Sequence, residues 1–293
     1  MSESLRYDDA VAIDVHVHIE IGPEGHDQLS PELREAVSRY FRGNTVLPSI
    51  EEIAQHYRSR KIMAVVFGVD SALTTGQPRI PNEFVVEGAR RHPDVLIPFA
   101  SVDPRRGRDG LAEARELIAE GSIRGFKFHP NIQQFDPNDR SAYPLYQIIA
   151  EAGAVAMFHT GHSGIGAGLP GGGGIRLKHG NPMLIDDVAV DFPDLKIIMA
   201  HPSFPWQDEA ISIALHKPQV YIDLSGWSPR RFPAQLVDHL GRGLRSQVLF
   251  GSDYPLITPD RWLDDFATLD VPDEARTSIL KENAARLLGL GSR

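Results

Sequence analysis

The sequence predicts an α/β protein built as a (β/α)8 TIM-like barrel, and three observations support this fold class. The chain has 293 residues, which is long enough for one barrel domain. It contains eight short apolar runs, and the segments between them are mostly helical by pattern. Near-continuous apolar strands that alternate with helices are typical of parallel βαβ units. The runs are Ala12 to Ile19, Ile62 to Val69, Val95 to Val102, Ile123 to Phe128, Ala154 to His159, Leu195 to His201, Val220 to Leu224 and Gln247 to Gly251.

The alternative fold is an open doubly wound sheet, which would bind a dinucleotide at a glycine-rich turn after an early strand. No Gly-x-Gly-x-x-Gly motif follows an early strand in this sequence, so a dinucleotide site has no support. The chain also shows no linker, low-complexity tract or internal repeat beyond the βα alternation. We therefore expect residues 1–293 to form a single barrel domain.

The first elements follow from local patterns near the start of the chain. Apolar and polar side chains alternate from Ala12 to Ile19, which predicts a strand. Residues 20–48 are interpreted as an inserted segment with one helix, which Ser30 can cap ahead of a proline. Ser49 and Glu52 then form a capping box at the start of a helix with one buried face.

The later helices complete the alternation. They are predicted over Glu83 to Arg91, Leu111 to Glu120, Ala142 to Ala152, Met183 to Phe192, Trp206 to His216 and Pro233 to Leu240. A closing helix at the C-terminal end has an apolar stripe that includes Ile279, Ala284 and Leu288, and Leu290-Gly291 would end it.

Composition excludes several classes of function. The formal net charge of −9 argues against non-specific nucleic-acid binding, which needs a basic surface. No apolar run approaches the 18 or more residues of a spanning helix, so we expect no membrane association and a cytoplasmic protein. The absence of cysteine rules out disulfides, thiolate ligands and cysteine nucleophiles.

Side chains with ligand or acid–base chemistry end one predicted strand after another. His16 and His18 lie two residues apart in a strand, so they project from the same face. Later strands end in Lys127, His129, His159, His201 and Asp253. Because the C-terminal ends of barrel strands meet at one rim, these groups should converge there. The alternative for a single His-x-His is a strand with two hydrogen-bonded histidines.

Imidazole and carboxylate ligands together suit Zn, Mn or Fe and leave room for a water molecule. The predicted metal ligands are His16, His18, His159 and Asp253. His201 is a candidate for a further ligand or for a base beside the ion.

Three further features are candidates for substrate binding. The Lys127 ammonium could bind an anionic substrate group or pair with a carboxylate. Residues 161–182 form a glycine-rich loop, interpreted as a lid over the substrate, in which Arg176 could receive a carboxylate or phosphate. Asp223 to Trp227 ends strand seven at the same rim, where Trp227 either stacks on a ring or simply packs.

Three motifs, together with the strand-one histidines, resemble the amidohydrolase superfamily. They are Phe158-His159-Thr160-Gly161, Ala200-His201-Pro202 and Gly251-Ser252-Asp253-Tyr254-Pro255. The motifs are most similar to the amidohydrolase-related branch, which includes aminocarboxymuconate semialdehyde and resorcylate-type decarboxylases. The likeness spans Val11 to Leu290 and implies a metal-dependent hydrolase type of barrel.

The resemblance implies a role for each of the strand-end residues. His16, His18 and His159 would be metal ligands, and Asp253 would be a ligand that also handles the proton of the water. His201 would polarise the substrate or orient the water.

The resemblance also bears on the metal count. It implies one divalent ion, with zinc expected first and manganese or iron as alternatives. Superfamily members with two metals bridge them with a carboxylated lysine, and Gly125 to Pro130 resembles the corresponding stretch of dihydroorotases. A second ion bridged by Lys127 is therefore the alternative to the ammonium that we prefer.

The leading functional hypothesis is a metal-dependent hydrolase whose activated water attacks a carbonyl carbon. The glycine-rich loop and Asp253 to Pro259 also resemble hydroxyphenyl-β-ketoacyl-CoA hydrolases of aromatic catabolism, which implies cleavage of a carbon–carbon bond. The alternatives are a non-oxidative decarboxylase of an aromatic or enol carboxylate, a lactonase, and a catalytically silent ligand-binding barrel. We expect a small anionic substrate, and the branch also suggests a homo-oligomer.

Overall fold

Eight parallel strands form a nearly closed barrel in the computed structural model, which describes residues 6–42 and 47–291. The strands are β1 (Ala12–His18), β2 (Ile62–Phe67), β3 (Leu96–Ala100), β4 (Gly125–Phe128), β5 (Val155–His159), β6 (Lys196–Ala200), β7 (Val220–Asp223) and β8 (Val248–Leu249). Each strand pairs with the next in chain order from β1 to β8. The predicted (β/α)8 barrel is confirmed.

Backbone hydrogen bonds between β1 and the segment that follows β8 close the barrel. We call this junction the seam; its three hydrogen bonds run from Val15 N–H to Phe250 O (2.9 Å), from Asp253 N–H to His16 O (3.0 Å) and from His18 N–H to Tyr254 O (2.8 Å). Three of the predicted metal ligands, His16, His18 and Asp253, therefore lie on adjacent backbones at the point of closure.

Helices cover the outside of the barrel. They are α1 (Pro31–Phe41), α2 (Ile50–Arg58), α3 (Ala72–Thr75), α4 (Asn82–Arg91), α5 (Arg108–Ala119), α6 (Pro130–Gln133), α7 (Tyr143–Glu151), α8 (Met183–Asp191), α9 (Gln207–His216), α10 (Ala234–Leu240), α11 (Pro259–Ala267), α12 (Asp273–Thr277) and α13 (Asn283–Leu288). A π-helical turn, Ser278–Glu282, joins α12 to α13. Among the described residues, no helix is both long and apolar enough to cross a bilayer.

The predicted helix starts are found where capping residues stand. Ser30 accepts a hydrogen bond from the backbone of Leu33 at the start of α1, and Ser49 and Glu52 form a reciprocal capping box at α2. Of the predicted insertion, residues 43–46 lie outside the described part of the chain. The helices α3, α6, α11 and α12 were not predicted.

The alternation predicted for β1 is wrong at one point. Ile13 and Val15 pack in the inner core of the barrel, whereas Val17 packs in the outer layer between strands and helices. The reason is a shift in the register of β1 against β2 between Asp14 and Val17. A bulge of this kind re-aims side chains, and His16 consequently faces the interior beside the Phe67 ring.

Candidate metal centre

Three ligand atoms converge where β1 ends and the chain turns after β8. The Nε2 atoms of His16 and His18 lie 3.1 Å apart. Asp253 Oδ1 lies 3.4 Å from His16 Nε2 and 3.1 Å from His18 Nε2. Within residues 6–42 and 47–291, these three residues are the one group of His, Asp or Glu side chains spaced to hold an ion.

His16 is oriented by a carboxylate at the end of β7. Its Nδ1–H donates to Asp223 Oδ2 at 2.6 Å, and both side chains are fully buried. Burial, together with the charge of Lys127, holds the pKa of His16 well below its usual range. The ring is therefore neutral, and its Nε2 presents a lone pair, as a histidine ligand with a carboxylate partner requires.

Asp223 is itself fixed by Ser225. The Ser225 backbone N–H donates to Asp223 Oδ1 at 2.8 Å, and the Ser225 hydroxyl donates to Oδ2 at 2.9 Å. Burial raises the pKa of Asp223 to about 8, and the hydrogen bonds from Ser225 oppose that shift. A cation at the His16 ligand atom would favour the carboxylate form further.

Asp253 is held as a carboxylate. Burial alone would raise its pKa, but the hydrogen bond with His18 and the positive charge of Lys127 keep it below its usual range. The residue has a φ of 70°, an unfavourable left-handed conformation for a non-glycine residue. The turn that requires this φ also brings its N–H to His16 O across the seam.

Asp14 supports the centre from behind. Its Oδ1 accepts from the backbone N–H groups of His16 and Ser252, both at 3.0 Å. Its Oδ2 accepts from the hydroxyls of Tyr57 at 2.8 Å and Ser252 at 2.5 Å. Asp14 thus joins β1 to the turn after β8 by hydrogen bonds and contributes no ligand atom to the cluster.

His159 lies beside the cluster but outside the group of three. Its Nδ1 lies 3.0 Å from His201 Nε2, and its Nε2 is buried without a hydrogen-bond partner. His201 Nδ1 lies 3.1 Å from the Ser225 carbonyl oxygen, which only accepts, so Nδ1 carries the His201 proton. His201 Nε2 then accepts from His159 Nδ1–H, which leaves a lone pair on His159 Nε2.

His129 and Lys127 form the next layer. The His129 ring stacks on the His159 ring with centroids 3.9 Å apart. Lys127 is fully buried, with its Nζ 3.1 Å from His16 Nε2 and 5.0 Å from the centre of the Phe67 ring. Burial lowers the pKa of Lys127 to about 8, although Asp253 and Asp223 oppose the shift. Lys127 lies beneath the cavity described below rather than in its lining.

Gly226 is a site residue that sequence reasoning missed. It has a φ of 73°, and a Cβ at this position would lie 2.6 Å from His201 Nδ1 and 3.2 Å from Asp253 Oδ2. Any larger residue would therefore collide with one site histidine and crowd the site carboxylate. The sequence shows a glycine within Ser225-Gly226-Trp227, but only the fold shows that His201 and Asp253 approach this glycine.

A cavity of about 630 Å³ opens above the centre. Its floor contains His18, His159, His201 and Asp253. Trp227 lines the cavity, and the centre of its ring lies 5.5 Å from that of Phe204. Arg176 does not line it.

The predicted lid and the inserted segment meet over this cavity. His162, Ser163 and Ile165 of the glycine-rich loop contribute to the lining, as do Val37 and Phe41 of α1. A Cβ at Gly164 would lie 2.5 Å from the Phe41 ring, so the glycine permits close packing of the loop on α1.

Hydrogen bonds join the two ends of the glycine-rich loop to each other and to the barrel. Gly161 N–H donates to Gly180 O at 2.6 Å, and His179 Nδ1 lies 2.6 Å from Asp136 Oδ1. Asn131 Nδ2 lies 3.2 Å from the carbonyl oxygens of both Arg176 and Leu177. The loop is thus folded back on the barrel at both of its ends.

The donor atoms fit a divalent transition metal. Two imidazole nitrogens and one carboxylate oxygen form the group of three, and His159 offers a buried nitrogen with no other partner. Mixed nitrogen and oxygen ligands of this kind suit Zn, Mn or Fe.

The family model described as "Amidohydrolase" matches residues 13–290. No curated protein matches the sequence. Among solved structures, an uncharacterised TIM-barrel protein from Bordetella bronchiseptica superposes with a TM-score of 0.76. It is 24% identical, and the match covers 95% of this chain and 98% of that chain.

Two further structures with the same fold carry functional descriptions. One is a dihydroxybenzoic acid decarboxylase from Polaromonas with bound manganese, at 15% identity, a TM-score of 0.68 and coverage of 97% of this chain and 98% of that chain. The other is a probable 2-pyrone-4,6-dicarboxylic acid hydrolase from Acinetobacter baumannii, at 14% identity, a TM-score of 0.63 and coverage of 96% and 100%.

Proposed function

The chain belongs to the amidohydrolase family of metal-dependent enzymes, and from this premise we propose that it hydrolyses a substrate at a carbonyl carbon. The observation that carries the proposal is the His16, His18 and Asp253 cluster at the floor of a cavity large enough for a small organic molecule.

We propose that four residues hold one divalent ion. They are His16, His18, His159 and Asp253. Zinc is the first candidate, with manganese and iron as alternatives. Such an ion lowers the pKa of water and polarises a substrate carbonyl. In this proposal the buried Lys127 is an ammonium beside His16, and a second ion bridged by a carboxylated Lys127 is the alternative.

Asp253 and His201 divide the proton chemistry in this proposal. The Asp253 carboxylate accepts the proton of the attacking water and returns it to the leaving group. His201 has a pKa lowered to about 4 by burial, so it is neutral and its Nε2 accepts a hydrogen bond. That hydrogen bond comes from His159 Nδ1–H, so His201 orients the His159 ligand beside the water and does not donate a proton.

The best candidate bond is a carbon–carbon bond in an aromatic β-ketoacyl-CoA or a similar catabolic intermediate. Water adds to the β-ketone carbon, the bond between the α- and β-carbons breaks, and the electron pair leaves on the thioester enolate. The enolate takes up a proton, and the β-carbon becomes a carboxylic acid. The side chains of Phe41 and Trp227, which line the cavity, provide surfaces against which an aromatic ring can pack.

Non-oxidative decarboxylation is the second candidate. It is favoured by the solved structures with the same fold that are described as decarboxylases, including the manganese-bound one. The same ion and ligands would bind an aromatic or enol carboxylate, and a protonated side chain would deliver a proton to carbon. A lactonase is a third outcome of the experiment below.

The test begins with elemental analysis of the purified chain beside His159→Ala and a control, His216→Ala, which alters an exposed histidine on α9. We expect about one transition-metal ion per chain in the wild type and the control, and a loss of most of it in His159→Ala. Metal retained fully in His159→Ala would remove this residue from the ligand set. Absence of metal in all three proteins, even after supplementation, would defeat the proposal.

Reactions in ¹⁸O-labelled water then separate the chemistries. Hydrolysis of a β-ketoacyl-CoA places solvent oxygen in the product acid. Decarboxylation releases carbon dioxide without consuming water, and release of carbon dioxide without labelled acid would replace the first candidate with the second.

A further inference from the structure

Three arginines line the cavity and are exposed at its mouth: Arg42, Arg231 and Arg261. We call them the arginine cluster. Arg42 ends α1, Arg231 ends the short 3₁₀ turn after β7, and Arg261 lies in the first turn of α11 after β8. Because β7, β8 and β1 follow one another around the barrel, the cluster belongs to one sector of the mouth.

Neighbouring arginines are paired, whereas those of the cluster are not. Arg230 lies 2.7 Å from Asp265, and Arg60 lies 2.7 Å from Asp260, so both nearby carboxylates are already engaged. None of the carboxylates in the described part of the chain forms an ion pair with the arginine cluster.

The rest of the cavity lining leaves this positive charge uncompensated. The lining contains two carboxylates, Glu20 and Asp253. Glu20 pairs with Arg34 at 2.9 Å, and Asp253 belongs to the metal centre. The mouth is therefore cationic although the whole chain has a formal charge of −9. A guanidinium group matches the geometry of a carboxylate or a phosphate, with which it forms paired hydrogen bonds.

We infer that the substrate carries an anionic group remote from its reacting carbonyl and that the arginine cluster binds this group. The inference rests on the proposed function for the reacting end, and it specifies the other end of the same substrate. Apolar side chains of the lining, including Val37, Val69 and Leu256, lie with the cluster around one cavity whose floor is the metal centre. The substrate class is thus an acyl compound with an apolar middle and an anionic tail.

The inference changes the predicted anion-binding residue. Arg176 in the glycine-rich loop does not line the cavity, and its carbonyl oxygen is engaged by Asn131. The arginine cluster takes over the role that the sequence suggested for Arg176. The anionic tail has two chemical sources, the phosphates of a carrier such as a CoA thioester or a second carboxylate, and the experiment distinguishes them.

The experiment measures binding of two probes to the metal-loaded protein without turnover. Isothermal titration with pyrophosphate represents the phosphate source, and titration with glutarate represents the carboxylate source. The test variant is Arg231→Gln/Arg261→Gln. The matched control is Arg230→Gln/Arg60→Gln, which removes two arginines that already form ion pairs. Arg230 precedes Arg231 in the chain, and the partner of Arg60 is Asp260, which precedes Arg261. All four side chains reach the surface, so both variants should fold.

We expect one probe to bind the wild type and the control, and to bind the test variant at least about tenfold more weakly. Preference for pyrophosphate assigns the tail to a phosphate-bearing carrier, and preference for glutarate assigns it to a second carboxylate. Equal affinity in the test variant and the wild type, or binding of neither probe, would overturn the inference. The experiment measures binding and not catalysis. Its result therefore tests the arginine cluster even if the protein proves not to be a hydrolase.

Discussion

The floor and the roof of the cavity are built by different means. The floor consists of residues at or just after strand ends, which buried hydrogen bonds orient: His18, His159, His201 and Asp253. The roof consists of α1 and the glycine-rich loop, which meet through an apolar cluster that includes Leu33, Val37 and Ile165. Hydrogen bonds fix the orientation of the side chains that form them, whereas apolar contacts only hold side chains close together. The floor is therefore suited to chemistry, and the roof to selecting what reaches it.

The difference is also visible in the backbone. His201, Ser203 and Asp253, all at the floor side of the barrel rim, have φ values of 75°, 64° and 70°. Left-handed conformations cost about 1 to 3 kcal/mol each for non-glycine residues and persist only where their surroundings require them. In the roof, glycines such as Gly166 and Gly171 adopt positive φ without that cost. This strain is concentrated in the floor, while the roof carries it at Arg42, where α1 ends.

The largest effect is expected from a floor substitution, Gly226→Ala. Its Cβ would lie 2.6 Å from His201 Nδ1, so the ring must move away from the Ser225 carbonyl. We expect kcat to fall about 100-fold or more, because a displacement of about 1 Å in a catalytic group has this scale of effect. Steady-state kinetics measures it, with a substrate that the wild type turns over in the labelled-water experiment.

The matched control for that substitution is Gly153→Ala. Gly153 has a similar φ of 64°, and a Cβ there would meet nothing within 4 Å. Both variants lose about 1 kcal/mol of stability from the unfavourable φ, which thermal unfolding can measure. Equal activity in the two variants would show that the floor tolerates displacement of His201. The proposed difference between a precisely oriented floor and a less precise roof would then be wrong.

A smaller effect is expected from a roof substitution, Phe41→Ala. Phe41 lines the cavity and packs against Gly164, so its removal loosens the contact between α1 and the loop. We expect KM to rise about tenfold, with kcat and metal content unchanged, because only substrate contacts are lost. The control is Arg39→Ala, on the same helix with its side chain 64% exposed. A fall in metal content in Phe41→Ala would show that roof and floor are coupled.

The smallest effect on catalytic rate is expected from a substitution in a buried ion-pair network that lies outside both the floor and the roof of the cavity. Glu113 lies 2.6 Å from both Arg79 and Arg106 and accepts from Asn82. Burial would raise the pKa of Glu113, but these hydrogen bonds hold it below its usual range. We expect Glu113→Gln to lower the free energy of unfolding by about 1 to 3 kcal/mol at pH 7 and to leave kcat unchanged.

The stability difference between wild type and Glu113→Gln should depend on pH in a defined direction. A carboxyl group with a depressed folded-state pKa stabilises the protein above its unfolded pKa, about 4.3, and loses that contribution as the pH falls through the folded value. The difference between wild type and Glu113→Gln should therefore shrink below about pH 4. Urea unfolding at several pH values measures it, beside Glu120→Gln, whose pair with Arg90 is half exposed. A pH-independent difference would contradict the role of the Glu113 charge.

The sequence predicted the barrel and the position of its ligands because both depend on local patterns. Eight apolar runs gave eight strands, and the convergence of strand ends at one rim brought His16, His18 and Asp253 together. The spacing of two residues placed both histidines on one face, but it did not reveal the bulge that turns Val15 and Val17 to different sides.

Other parts of the site depend on contacts between residues far apart in the chain. Asp223 was predicted at the rim, but its hydrogen bond to His16 spans 207 positions and has no local signal. Gly226 is significant only because His201 packs against it. The arginine cluster comes from three separate loops, and an exposed unpaired arginine has no sequence signature that distinguishes it from a paired one such as Arg230.

The metal centre can assemble only when both ends of the barrel sequence have come together at the seam. The hydrogen bonds from Ser252 to Asp14 join residues 238 positions apart. Contacts of such long range form late, since the chain must be ordered before its ends can meet. A nascent chain on the ribosome therefore cannot acquire its ion until almost all of the barrel has emerged. Conversely, an ion bound by His16, His18 and Asp253 would link the first strand to the turn after the last one and would stabilise the closed barrel against parting of these two segments.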